Sequence, residues 1–429
     1  MTLTTIPVYH IVVCWIVFSL SLTPCYLPAL ISEVSEELSP GYQNSPILVS
    51  VDYRSDYPLA WYNLRPTWFL NVSDVEYTIQ NPTAVPVRVQ LTSQYPGYST
   101  PTINVITIDA RSTSMFRQFI ILDVERIQGI RTPTRANLYY TVEYRDDDSW
   151  ILHEAQTKPV TFYPMDQMVW ATEDSRGKIT IYHGLIATFV TPQSRGVADL
   201  LAKAKERATS DSDERYGEYR LERRLPGYIG SPASCSGAKN YTNLQVKAIY
   251  NALKYDYNLS YVHAPVAFGM GNSQRVSIPD ESLSSGSANC IDGAVLFASA
   301  LERIGIRPYI IIRPDHAYIA WDIDSIGTEK DALETTRLSY QDFEDANEAG
   351  RENWEFDSSS GRMELYQNLF DMDISHGDYS ETYVLVDIDW LRSQGITPMD
   401  KRSEEGVAPS LSPSNLTALA HNALISLMP

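Results

Sequence analysis

A helix that begins at a cysteine and leads into two apolar strands constrains the fold of this chain most. The stretch Ser284-Ser-Gly-Ser-Ala-Asn-Cys290-Ile-Asp-Gly precedes a segment whose apolar residues recur at helical spacing. These residues are Ala294, Phe297, Ala298, Leu301 and Ile304. Gly305 follows at the position where a glycine commonly ends a helix. The pattern predicts a helix that begins near Cys290 and buries one face.

His316 and Glu334 lie on strands predicted to follow this helix. Residues 306–312 and 316–321 read as two strands joined by a turn. A hairpin after the polar turn 324–331 would return Glu334 to the side of His316. Asp322, six residues along the same strand, would lie about 20 Å from His316, beyond hydrogen-bond reach. We therefore choose Glu334 as the acid and interpret Asp322 and Asp324 as structural or solvated charges.

Cysteine, histidine and acid in this order can support nucleophilic catalysis. The histidine removes the thiol proton, and the acid fixes the orientation of the ring. A thiol at a helix N-terminus also lies at the positive end of the helix dipole, which favours the reactive thiolate. The alternatives are that Cys290 is an inert buried side chain, the usual fate of a free cysteine, or that it is bridged to Cys235.

Three other residues near the cysteine in the sequence are assigned roles around the nucleophile. An oxyanion needs hydrogen-bond donors, and the backbone N–H of Cys290 is the natural first one. Gln274 and Tyr261 are the candidates for the second donor, although an ordinary surface glutamine is the simpler interpretation of Gln274. Asp292 is interpreted as a helix-start carboxylate that complements the dipole.

Composition limits the classes of function. The chain has 429 residues with 44% hydrophobic and 20% charged residues, enough for two or three folded domains. Its net charge of -19 argues against nucleic-acid binding, because phosphates would be repelled. Four cysteines without a CxxC pair predict neither a zinc site nor a disulfide scaffold. The histidines lack metal-ligand spacing, so no metal or other cofactor is expected. They include His153, His183, His263 and His376.

The N-terminal and middle regions have different characters. The apolar run 11–22 suits a signal peptide or a membrane anchor, which would place the protein outside the cytoplasm, exported or tethered. Alternating strand patterns then predict an immunoglobulin-like β-sandwich. Its candidate strands are 87–92, 103–108, 115–124 and 138–144. Helices are predicted at 194–208 and 243–253, and a late strand at 384–390.

Residues 262–336 resemble the transglutaminase-like superfamily, a papain-related cysteine fold. The resemblance rests on five stretches: Gln274-Arg-Val-Ser-Ile-Pro279, Gly286-Ser-Ala-Asn-Cys290-Ile-Asp292, Glu302-Arg-Ile-Gly305-Ile, His316-Ala-Tyr-Ile-Ala-Trp321 and Leu333-Glu334-Thr-Thr336. It implies that Cys290 is the nucleophile, His316 the general base and Glu334 the acid. Many members of the superfamily carry aspartate at the position of Glu334, so the acid of this chain has a longer side chain.

Taken together, these features predict an α+β protein with a papain-like/transglutaminase-like core preceded by an all-β immunoglobulin-like sandwich. The predicted parts are a signal peptide or anchor (1–30), an irregular linker (31–73), the sandwich (74–165), the transglutaminase-like domain (170–400) and a C-terminal tail (401–429). The resemblance implies a cysteine peptidase or transglutaminase-like enzyme. Such an enzyme acts through a thioester on peptide, isopeptide or glutamine-type carboxamide bonds of a protein or peptide substrate. The alternative is a non-catalytic binding or scaffold protein of the cell envelope with the same fold.

Overall fold

The computed structural model describes residues 45–64, 73–173, 179–208, 216, 219, 221–263, 268, 273–369 and 381–399. The predicted signal peptide or anchor and the C-terminal tail lie outside these residues. Of the predicted irregular linker, residues 45–64 and 73 are described, and this prediction is wrong for two strands in it, Leu48–Tyr53 and Asp56–Pro58, because both pair with strands of the β-sandwich. The described residues from Pro46 onward form one compact unit. Within the described residues, no helix is both long and apolar enough to cross a membrane.

The first part of the described chain contains eight strands and one short α-helix, besides a 3₁₀ helix at Leu59–Leu64. They are β1 Leu48–Tyr53, β2 Asp56–Pro58, β3 Val75–Asn81, β4 Val87–Gln94, β5 Thr102–Ile108, β6 Ser112–Gln118, α1 Val124–Gln128, β7 Thr134–Asp146 and β8 Ser149–Tyr163. They form one sheet in the order β1-β3-β6 and another in the order β2-β8-β7-β4-β5. All neighbours run antiparallel except β2 and β8.

The two sheets share one hydrophobic core. Buried and less buried residues alternate along β3 and β4, as they do in strands with one covered face. Tyr77 of β3 and Leu91 of β4 lie in the same buried cluster, which therefore joins the sheets. Tyr57, Tyr95 and Phe162 pack edge-to-face within it. The first part is thus a β-sandwich.

The remaining described chain mixes helices and short strands. The elements are β9 Gln167–Val169, β10 Ala171–Glu173, β11 Ile179–Ile181, α2 Arg195–Arg207, α3 Cys235–Tyr255, β12 Ser260–Tyr261, β13 Ser273–Arg275, α4 Pro279–Ser285, β14 Ser287–Ala288, α5 Cys290–Arg303, β15 Pro308–Ile312, β16 Ala317–Asp322, β17 Lys330–Leu333, α6 Phe343–Ser359, β18 Met363–Leu365, α7 Tyr366–Leu369, β19 Tyr383–Asp387 and α8 Ile388–Ser393. The protein is therefore of the α+β class, as the sequence predicts.

A five-stranded sheet in the order β17-β16-β15-β19-β18 organises this part. Strands β15 and β16 are buried along their whole length, so both faces of the sheet are covered. On one face, Ile310 and Ile319 join the cluster that contains α5. On the other, Tyr309 and Tyr318 pack in a cluster with Trp354 of α6. The sheet thus fixes α5 and α6 on opposite sides of β16 and β17.

Most of the predicted helices and strands are present in the structure, but several begin or end at residues other than those predicted. The helix predicted at 194–208 is α2, and the helix predicted at 243–253 is the middle of the longer α3. The strand predicted at 115–124 ends at Gln118, and a helix capped by Asp123 begins at Val124. The strand predicted at 384–390 ends at Asp387, whose side chain accepts a hydrogen bond from the Trp390 N–H and starts α8.

Candidate active site

Cys290 is the first residue of α5, as the sequence predicts. The Asn289 side chain accepts a hydrogen bond from the Asp292 N–H at 2.9 Å, and the Asp292 carboxylate accepts one from the Asn289 N–H at 3.3 Å. This reciprocal capping box fixes where the helix starts. Asp292 also accepts a hydrogen bond from the Ser277 N–H at 2.7 Å, so its role at the helix start is structural.

Strand pairing brings Glu334 to His316. Ile319 of β16 pairs with Leu333 of β17, so the residue after β17 lies near the residue before β16. His316 Nε2 and Glu334 Oε2 are 2.6 Å apart. The Arg313 N–H donates to the His316 carbonyl at 2.8 Å and closes the turn that leads into β16. The hairpin predicted to return the acid to the histidine is therefore present.

The other side of the His316 ring faces Cys290. Burial of the ring opposes its charge, but side-chain hydrogen bonds with Cys290 and Glu334 raise the pKa of His316 to about 10. Because Nε2 is engaged by Glu334, Nδ1 is the ring nitrogen available to the thiol. Cys235 and Cys290 are both free thiols, so the alternative of a bridge between them is wrong. His316 is thus joined to Glu334 by a hydrogen bond of 2.6 Å, and Cys290 is its neighbour on the other side.

The Glu334 carboxylate has four hydrogen-bond donors. Oε1 accepts from the Thr336 N–H at 3.1 Å and from the Thr336 hydroxyl at 2.7 Å. Oε2 accepts from Asn353 Nδ2 at 3.1 Å in addition to His316. Burial disfavours the charged carboxylate, yet the hydrogen bonds from His316 and Thr336 hold the pKa of Glu334 below its ordinary value. The carboxylate is therefore held ionised in one orientation.

Sequence reasoning missed Asn353 because no motif marks it. It lies on α6 with Asn347 and Gly350 at three-residue spacing, which places all three on one face. Asn347 Nδ2 donates to the Ala332 carbonyl at 2.7 Å. A Cβ at Gly350 would lie 2.4 Å from the Leu333 nitrogen, so only glycine permits this close approach of helix and strand. That approach carries Asn353 to Glu334.

The rejected carboxylates have structural partners elsewhere. Asp322, at the far end of β16, accepts hydrogen bonds from the Tyr309 hydroxyl and from Lys330 Nζ, each at 3.0 Å. Asp324 accepts backbone hydrogen bonds from Ile326 and Gly327 within the turn that follows β16. Both residues are structural charges, as the sequence indicates, and neither is a partner of His316.

The two oxyanion candidates lie on different strand pairs. Tyr261 is on β12, which pairs in parallel with β14, the strand that leads into Cys290. Burial, and then the negative charges of Cys290 and Glu334, raise the pKa of Tyr261. Gln274 is buried on β13, where it pairs with Met168 of β9, so its interpretation as an ordinary surface glutamine is wrong. The role of Tyr261 and Gln274 as hydrogen-bond donors to an oxyanion stays a prediction.

Access to the thiol is narrow. Cys290 is 1% exposed, whereas the His316 side chain is 23% exposed. Very little of Cys290 is therefore open to an approaching group, whereas part of the His316 side chain is open. Among the described residues, no group of three or more histidine, cysteine or acidic side chains is arranged to hold a metal ion.

The ion pair predicts a characteristic dependence of stability on pH. Glu334 has a lowered folded pKa, so its stabilising effect is present above the ordinary value of 4.5 and is lost as pH falls below it. His316 has a raised folded pKa, so its effect is full below 6.5 and is lost as pH rises through about 10. We expect the unfolding free energy of the wild type, relative to Glu334→Gln, to be largest between these limits. Urea titrations from pH 3 to 10 measure it, and a flat difference would contradict the pairing.

Comparisons with known proteins leave the family open. No protein-family model matches the chain, and no curated protein matches it. Among solved structures, similarity is found to the Salmonella enterica SafA pilin in complex with the SafB chaperone, at 14% identity, over 27% of this chain and 54% of that one, with a TM-score of 0.18. The Escherichia coli chaperone DraB matches at 14% identity, over 28% of this chain and 54% of its own, with a TM-score of 0.17.

A third similarity is to trypsin-activated alpha-2-macroglobulin from Escherichia coli, at 9% identity, over 61% of this chain and 23% of that one, with a TM-score of 0.19. The chain spans about half the length of the first two matched structures and a quarter of the third. At these TM-scores the similarities carry no argument about fold or function.

Proposed function

We propose that this protein is a cysteine-dependent amide hydrolase or acyltransferase with a transglutaminase-like, papain-related core. The observation that carries the proposal is the contact between His316 Nε2 and Glu334 Oε2, with Nδ1 left for the thiol of Cys290. A base that is itself oriented by an acid is what a thiol nucleophile needs. Because α5 begins at Cys290, the thiol lies at the positive end of the helix dipole, which favours the thiolate.

The reaction would proceed through a thioester. The Cys290 thiolate attacks the carbonyl carbon of an amide, and the C–N bond breaks as His316 donates its proton to the departing amine. The backbone N–H of Cys290 has no partner within the helix at this first position and can stabilise the oxyanion. Water or a second amine then attacks the acyl carbon of the thioester and gives a proton to the now neutral His316. The C–S bond breaks, Cys290 leaves as the thiolate, and the product is a carboxylic acid, which ionises, or a new amide. We favour hydrolysis of a peptide or isopeptide bond.

The second candidate function is binding without turnover, in a scaffold protein of the cell envelope. The near-complete burial of Cys290 favours it, since an inert core cysteine is also buried. The location outside the cytoplasm and a membrane tether remain proposals that rest on the apolar run 11–22.

Alkylation kinetics at pH 6 separate the two functions. We expect iodoacetamide, which is small enough for narrow access, to label Cys290 at least about 10-fold faster than it labels N-acetylcysteine, because an ordinary thiol is then almost fully protonated. Peptide mapping by mass spectrometry gives the rate at each cysteine of the intact protein. His316→Ala should remove the advantage. Labelling of Cys290 no faster than N-acetylcysteine would favour the non-catalytic function.

Exposed Cys235 is the internal control for the variant protein. A hydrogen bond with Glu329 raises the pKa of Cys235, so it should react slowly at pH 6. Its rate should be the same in the wild type and in His316→Ala. A change at both cysteines would indicate a general loosening of the fold and would contradict a specific role for His316.

A further inference from the structure

Asp292 ties the start of α5 to a second segment of the fold. Oδ1 of its carboxylate accepts a hydrogen bond from the Ser277 N–H at 2.7 Å, and Oδ2 accepts one from the Asn289 N–H at 3.3 Å. Asn289 directly precedes Cys290, whereas Ser277 lies between β13 and α4. One side chain therefore joins the residue before the candidate nucleophile to the segment that follows β13.

The segment that contains Ser277 is itself fixed to the strand that follows the β-sandwich. β13 pairs antiparallel with β9, and Arg275 lies opposite Gln167. The next residue, Val276, donates its N–H to the Asp166 carbonyl at 2.8 Å. β9 follows β8, the last strand of the sandwich, in the chain. The position of the Ser277 N–H is thus set by the pairing of two strands outside α5.

The carboxylate of Asp292 is buried as well as hydrogen-bonded. The residue is 6% exposed. Burial raises the pKa of its carboxyl, whereas the hydrogen bonds from Ser277 and Asn289 oppose this rise and favour the charged form. Hydrogen bonds from backbone N–H groups to a charged carboxylate are stronger than those between neutral groups. The start of α5 is therefore held to the segment after β13 by two strong contacts with one side chain.

The place of Cys290 in the helix makes such a tie important for the proposed chemistry. Cys290 is the first residue of α5, and the ends of helices fray. The thiol has to stay within hydrogen-bond reach of His316, whose ring Glu334 holds at 2.6 Å from the other side. Because a displacement of about 1 Å can slow a catalysed reaction about 100-fold, fraying at Cys290 would separate the nucleophile from its base.

We infer that Asp292 is a positioning residue for the nucleophile, which holds Cys290 beside His316 by tying the start of α5 to the paired strands β9 and β13. It acts through the backbone of Asn289 and Ser277. This inference rests on the proposed function, because it assigns a residue that supports the same reaction.

The charge of Asp292 has the opposite effect on the thiol, and this gives the test its sign. A nearby carboxylate disfavours the thiolate of Cys290 by Coulomb repulsion. If Asp292 acted only through its charge, removing the charge would therefore make the thiol react faster. If Asp292 positions the thiol, removing its acceptor oxygen makes the thiol react more slowly.

Asp292→Asn keeps the shape of the side chain but removes the charge and one acceptor oxygen. We expect iodoacetamide to label Cys290 about 10-fold more slowly than in the wild type at pH 6. The pH of half-maximal labelling should move upward, because a displaced thiol loses the charged imidazole that favours its thiolate. Asp292→Glu places the usual capping-box acid at this position and should recover most of the rate. Peptide-mapped mass spectrometry of the intact protein from about pH 5 to 9 measures both quantities.

Two further variants separate positioning from other effects. Asn289→Ala breaks the other half of the capping box without changing any charge, so it should also slow the labelling of Cys290. Asp280→Asn alters a carboxylate in the first turn of α4, which accepts a hydrogen bond from the Gly196 N–H at 3.0 Å, and should leave the rate at Cys290 unchanged. Labelling of exposed Cys235 should be equal in all of these proteins.

The outcomes distinguish this inference from the proposed function. If wild-type Cys290 reacts faster than N-acetylcysteine and Asp292→Asn reacts as fast as the wild type or faster, only the inference is wrong. A change of the rate at Cys235 together with that at Cys290 would also contradict it, because the whole fold would then have loosened. Where Asp292→Asn does not fold, Asn289→Ala decides in the same way. If wild-type Cys290 reacts no faster than N-acetylcysteine, the proposed function is wrong and the inference falls with it.

Discussion

Replacing Glu334 with alanine is expected to slow the alkylation of Cys290 by iodoacetamide about 100-fold at pH 6. Without the carboxylate, His316 loses the hydrogen bond at Nε2 that holds its ring in place and favours its charged form. The thiol then reacts as an ordinary cysteine, which is less than roughly 1% thiolate at this pH. Peptide-mapped mass spectrometry of the intact protein measures the rate.

Graded and control variants make this prediction specific. Glu334→Gln keeps the shape and one hydrogen-bonding oxygen, so it should retain part of the reactivity. Asp322→Asn alters a buried carboxylate bound to Tyr309 and Lys330, and should leave the rate at Cys290 unchanged. A loss in Asp322→Asn with full reactivity in Glu334→Ala would mean that the acid was assigned wrongly.

The candidate site was predictable where local chemistry decided the structure. The start of α5 follows from Asn289 and Asp292, which form a capping box within four residues of sequence. The choice of Glu334 over Asp322 follows from strand geometry, because a strand advances about 3.3 Å per residue and only a hairpin returns the chain. Both features depend on neighbours in the sequence or on a single turn.

Features that depend on distant packing were not predictable. Asn353 reaches Glu334 only because Gly350 lets α6 approach β17 closely, and no short motif encodes that contact. The strand predicted at 384–390 fails for a related reason. Asp387 caps a helix instead of continuing the strand, although the residues that follow it are as apolar as a strand would be. Alternation of apolar and polar residues indicates which side chains are buried. The hydrogen bond of a capping side chain decides where the strand ends and the helix begins.

The ion pair between Arg313 and Asp357 lies behind His316, and we expect it to contribute strongly to the stability of the fold. Arg313 Nε and Nη2 donate to Asp357 Oδ2 and Oδ1, each at 2.7 Å, and the Tyr318 hydroxyl donates to Oδ2 at 2.7 Å. Asp357 is completely buried on α6, and the Tyr318 ring stacks with the ring of His316. The Arg313 N–H also closes the turn before β16, so this network supports the position of the imidazole.

Asp357→Ala is therefore expected to lower the free energy of unfolding by about 3–5 kcal/mol, because it leaves the largely buried Arg313 guanidinium and the fully buried Tyr318 phenol without their acceptor. Urea titration at pH 7 measures the loss. Glu355→Ala, at an exposed position on the same helix, should change stability by less than about 0.5 kcal/mol. The double variant Arg313→Met with Asp357→Leu should recover much of the loss, since apolar replacement of a buried pair is often neutral. Equal stability of Asp357→Ala and Glu355→Ala would show that this ion pair does not stabilise the fold.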